Sequence, residues 1–180
     1  MFGGKSQTDK SDTAKKFFVW KTITIGRYFG TVQKQTEQLR RSGLFIKQNY
    51  THILSAANDA MRKSNVYCGA ELDLVRCPLR QLGLTGDVSF QDIARAAYEH
   101  ELDVYEHDFS YWLWLSLKRR FGGRGPVLIV CQPARVEWHD YVPRIQMKFK
   151  RPLIEAAEVT PGATFDASCE AIFVQSIRYF

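Results

Sequence analysis

The chain has 180 residues, 45% of them hydrophobic and 13% aromatic, and a net charge of +6. That length suits one domain, two at most, and lets the chain bury about 70% of its unfolded surface, so neither metal nor disulfide is needed to fold. The composition excludes a disordered chain. The longest apolar stretches, such as Val127 to Cys131, fall far short of the ~20 residues that cross a bilayer. With no visible signal peptide, a soluble cytoplasmic protein without a membrane partner is expected.

Residues 1–16 read as a flexible tail of Gly, Ser, Thr, Asp and Lys, and residues 17–180 as one domain. Gly3-Gly4-Lys5-Ser6 resembles the end of a phosphate-binding loop, but the earlier glycine and the preceding strand are missing. Phe17 to Ile25 is rich in β-branched and aromatic residues and closes on Gly26, which predicts a strand. Val32, Thr36 and Leu39 share a helical face, and Gly43 stands where a left-handed cap would end that helix. Ile46, Tyr50, Ile53, Leu54, Ala57, Ala60 and Met61 recur at helical spacing and predict a second helix with one buried side.

Glu71 to Cys77 predicts a strand, stopped by Pro78. Ser89 and Asp92 form a variant capping box, with Val88 and Ile93 at the staple positions, so a third helix runs to about Glu101 and buries Ile93, Ala96 and Ala97. Beyond Asp108 the pattern turns to β. Tyr111 to Leu117, the turn Phe121 to Gly125 and the return strand Pro126 to Cys131 read as a hairpin. Arg144 to Lys150 alternates, with Ile145, Met147 and Phe149 expected inward. Ala171 to Phe180 predicts a last strand. The order β, α, α, β, α and then four β points to an α+β fold, a mainly antiparallel sheet with about three helices on one face.

Charge falls in blocks. Residues 1–63 carry twelve basic and four acidic groups, residues 64–117 three and nine, residues 118–151 nine and two, and the remainder one and four. Such segregation steers partners rather than specifying a fold. Lys118, Arg119, Arg120, Arg124, Arg144, Lys148, Lys150 and Arg151 could form one cationic patch beside Trp112 and Trp114 if their strands share a sheet. Aromatics beside cations hold single-stranded nucleic acid. The alternative is an edge strand that lysines protect from aggregation, with both tryptophans in the core.

Cys68, Cys77, Cys131 and Cys169 contain no C-x-x-C pair, and no zinc spacing fits them. Free thiols are expected, with Cys77 and Cys131 as small hydrophobes in strands. The densest polar cluster runs from Glu99 to Asp108, where His100, Glu106, His107 and Asp108 are the candidate acid–base or catalytic residues. Its histidine spacing matches no metal signature, and a solvated helix end explains the same residues, so no metal and no cofactor are expected. His139-Asp140 is a weaker pair, and His52 reads as structural.

Trp20-Lys21-Thr22-Ile23 with Ile25-Gly26, Glu71 to Val75, Leu82-Gly83 and Asp92-Ile93 resemble the recurring blocks of a family of small uncharacterised bacterial proteins. The resemblance extends from about Lys16 to Pro133 and brings no established activity with it. It implies a polar set of an acid, an arginine and a glutamate before a proline; here Asp108 keeps the acid, while Trp114 and Gln132 stand at the other two positions. That set is then either lost as a functional group or replaced as an internal salt bridge.

The expected function is a binding, inhibitor or accessory protein that docks on a macromolecular partner, a protein first and nucleic acid second, through segregated charged surfaces. Two alternatives stand beside it: an enzyme acting on nucleic acid or another phosphate-bearing substrate through the His100–Asp108 cluster, and an RNA-binding module that uses the basic strands.

Overall fold

The computed structural model describes residues 17–25, 31–64, 69–104 and 125–180, the backbone alone over 57–64. Its elements are β1 (Lys21–Thr24), α1 (Val32–Arg41), β2 (Phe45–Ile46), α2 (Gln48–Ser64), β3 (Glu71–Pro78), a 3-10 turn (Leu79–Leu82), β4 (Asp87–Ser89) and α3 (Phe90–Glu99). They continue with β5 (Val127–Ile129), β6 (Ala134–Val136), β7 (His139–Lys148), β8 (Arg151–Glu158), β9 (Thr164–Asp166) and β10 (Glu170–Arg178).

The helix ends follow from local chemistry. Thr31 caps α1 by accepting from the Lys34 N–H, and the helix stops before Gly43, whose φ of 87° is left-handed and suits glycine. At α3 the Ser89 hydroxyl accepts from the Asp92 N–H while the Asp92 carboxylate accepts from the Ser89 N–H, the reciprocal pattern of a capping box. Val88 and Ile93, the staple pair, are both buried.

Among the described residues, the main sheet has eight strands in the order β1-β3-β10-β5-β7-β8-β2, with β6 paired to β7, and β4 and β9 form a separate ribbon. Most neighbours are antiparallel; β5–β10 and β2–β8 are parallel. Among the described residues, three helices and a mixed, mainly antiparallel sheet make this an α+β fold. The core joins Leu39 of α1, Tyr50, Ile53 and Leu54 of α2, and Ile93 and Ala97 of α3 to Leu72, Leu74, Ile129, Ile145, Ile154 and Phe173 of the sheet.

The segment expected to form a hairpin with 126–131, 111–117, lies outside the described residues. Over Val127 and Leu128, β5 has β10 on one side and β7 on the other. Two expectations change. β7 is not an edge strand, because it lies between β8 and the successive strands β5 and β6. Pro143, which lacks an N–H, falls in the gap between the stretches paired to β6 and to β5, where no ladder bond is missed. Finally, of Ile145, Met147 and Phe149 only Ile145 is buried; Met147 is 44% and Phe149 88% exposed. The strand ends at Lys148 and the chain turns back, so the alternating pattern runs off the end of the core.

The far edge of the sheet is sealed by one side chain. β2 pairs with β8 over only two residues, and Asn49 at the start of α2 then donates to the Ala156 carbonyl and accepts from its N–H. The carboxamide thus continues the ladder where the strand has ended, which blunts an edge open to foreign strands.

Candidate docking surface

Besides Arg135 on β6, the cationic residues described in the second basic block fall into two groups along the β7–β8 hairpin. Arg144, in mid-strand, faces Glu155 in register and donates to it from Nε at 3.0 Å. Gln146 Nε2 donates to the same oxygen at 3.1 Å, and Lys47 pairs with the other one. Glu155 itself is only 2% exposed. Burial pushes its carboxyl up, but the hydrogen bonds and charges of Lys47 and Arg144 outweigh that and hold it below the usual carboxylate range. Arg144 therefore belongs to the internal scaffold of the hairpin rather than to a free cationic stripe.

Lys148, Lys150 and Arg151 form the second group, all exposed, at the hairpin end. Lys148 and Arg151 are partners in register, so two like charges oppose each other across the strands. Between them Phe149 and Lys150 make a two-residue turn with φ of 49° and 60°. That geometry favours Asn-Gly, and a residue with a Cβ is strained there by about 1–2 kcal/mol. The Lys148 Nζ lies 5.4 Å from the Phe149 ring centroid, a cation–π contact. Phe45 on β2, beside Leu153 of β8, is 55% exposed and adds a second aromatic near this end of the sheet. A like-charge pair, a strained turn and an exposed ring coincide in four residues, and such local conflicts gather at functional sites.

The other basic and aromatic candidates, Lys118, Arg119, Arg120, Arg124, Trp112 and Trp114, lie outside the described residues, as do Glu106, His107 and Asp108. His100 follows the last turn of α3, donates its backbone N–H to Ala97 and sets its ring against Phe17 edge to face at 5.4 Å. It acts there as a packing residue. The partner of His139 is Glu158 across the strands, Nδ1 to Oε1 at 2.6 Å, and not its neighbour Asp140. His52 is exposed on α2. Gln132 is exposed as well.

Sequence reasoning missed two polar networks within the sheet. Asp73 on β3 accepts from Thr22 of β1 at 2.6 Å, from Ser176 of β10 at 2.8 Å, and from Arg178, which also reaches Glu71. Burial raises the Asp73 carboxyl; these hydrogen bonds and the Arg178 charge overcome it and hold the group below its usual range. Arg76 pairs with Glu170 and lies 5.4 Å from the centroid of a Trp20 ring. Each joins adjacent strands, as structural ion pairs do. Burial, with the Glu170 charge, pushes the Cys77 thiol up to about 12, which makes it inert. Cys77 and Cys131 are buried and Cys169 is half-buried. Among the described residues, no cluster of three or more His, Cys, Asp or Glu could hold a metal ion, and no helix is long and apolar enough to cross a membrane.

In comparisons with known proteins, no family model, no curated protein and no solved structure matches this chain.

Proposed function

We propose that this chain is a binding protein that docks a larger, negatively charged partner on the β7–β8 hairpin end, rather than a protein that makes or breaks bonds. The observation that carries the reading is the set Lys148, Phe149, Lys150 and Arg151, where exposed cations and an exposed ring are held in a turn that local energetics disfavour. The ion pairs of the hairpin support it, since Arg144 is committed to Glu155 while Lys148, Lys150 and Arg151 at the hairpin end are exposed.

Affinity capture from the native host tests the reading, with the parent chain compared with Phe149→Ser and with the triple variant Lys148→Glu, Lys150→Glu, Arg151→Glu. The docking reading expects one partner held by the parent and lost from both. A partner set identical across all three proteins would refute it.

A further inference from the structure

Resting on that docking reading, we propose that the partner surface is an anionic lipid bilayer, met by the hairpin end lying at the headgroup layer. Side chains on a strand alternate between two faces. The pair Met147–Pro152 therefore occupies one side of the hairpin end and the pair Lys148–Arg151 the other, with Phe149 and Lys150 at the apex. One side is apolar, the other is cationic, and the tip carries one ring and one cation. This is the pattern of interfacial segments, in which rings and aliphatic groups enter the acyl boundary while lysine and arginine stay with the phosphates.

The tip is the two-residue turn that ends the β7–β8 hairpin. Single-stranded nucleic acid is held by a cationic groove with successive stacking rings. At this tip the Lys148 ammonium lies against the Phe149 ring. A spanning helix is not required, because the body of the protein stays in water.

The expected affinity is modest. Each cation near an anionic leaflet contributes about fivefold, and burial of a phenylalanine ring about tenfold or more. Together they approach the association constant of about 10⁴ M⁻¹ that a single acyl chain provides, hence reversible attachment.

The full chain is tested by co-sedimentation with vesicles of phosphatidylcholine alone and with vesicles containing about 30% phosphatidylserine. The proposal expects binding only to the second kind, weakened by about 0.5 M salt. Phe149→Ser should lower it about tenfold, and the triple charge reversal at Lys148, Lys150 and Arg151 should abolish it. Matched thermal melts show that each variant is folded. Equal binding to both vesicle types, or serine-lipid binding that survives both variants, overturns the proposal. So does an absence of vesicle binding by a parent chain that holds a single-stranded RNA or an acidic protein through the same residues, and in that case the docking reading stands. If the hairpin variants change no interaction of any kind, the docking reading falls as well.

Discussion

Glu155→Gln removes one charge from the cage of Lys47, Arg144 and Gln146 and keeps the shape of the side chain. Loss of one partner from a buried ion pair costs about 3–5 kcal/mol, because the remaining charge is left uncompensated. In this cage the two cations retain 47% and 36% of their side-chain exposure. They can rehydrate, so the expected loss is smaller, about 2–3 kcal/mol. At about 2–4 °C per kcal/mol for a chain of this size, the melting temperature should fall by about 5–10 °C. The pH dependence has a definite sign. The folded-state pKa of Glu155 lies below its unfolded value, so its contribution is complete above the ordinary glutamate range and disappears as pH falls through the folded value. Parent and variant should therefore differ most at neutral pH and converge as the pH falls through the folded-state value. Asp73 titrates on the same side, but it is present in both proteins and cancels from the difference. Urea midpoints and slopes measured near pH 7 and near pH 3 decide the matter. A neutral-pH loss under about 0.5 kcal/mol, or a gap that persists unchanged into acid, would refute the reasoning.

Two further perturbations probe the hairpin and the sheet edge. Replacing Phe149-Lys150 by Asn-Gly supplies the residues that the turn geometry favours, and should raise stability by about 1–3 kcal/mol while weakening docking; a lower urea midpoint would show that the native pair is not strained. Asn49→Ala removes both bonds to the Ala156 backbone and should cost about 1–2 kcal/mol and increase self-association. Unchanged light scattering and an unchanged melting temperature would show that the edge is closed by other means.

The candidate surface was only half legible in the residues. Its cations are plain in a run such as Lys148-Phe149-Lys150-Arg151. Phe149 was misplaced because period-2 alternation says which residues share a face, but not where the strand ends. No Asn-Gly marks this turn, so the usual hairpin signal was absent. Arg144 looked equivalent to Lys148 from spacing alone, and only the register that sets it opposite Glu155 separates them. The Glu155 position gave no warning either, since a glutamate within a short strand ordinarily faces water.

Local elements were readable wherever neighbours in sequence decide the outcome. The Ser89–Asp92 capping box, the glycine after α1 and the 71–78 strand depend on side chains within four or five residues of one another. Pairing was not readable in this way. That β5 lies parallel to β10, that Pro143 falls in the gap between β5 and β6, and that Asn49 closes an edge 107 residues away are products of long-range packing. Their free energy comes from apolar surface buried between strands distant in sequence, which no short window of residues contains.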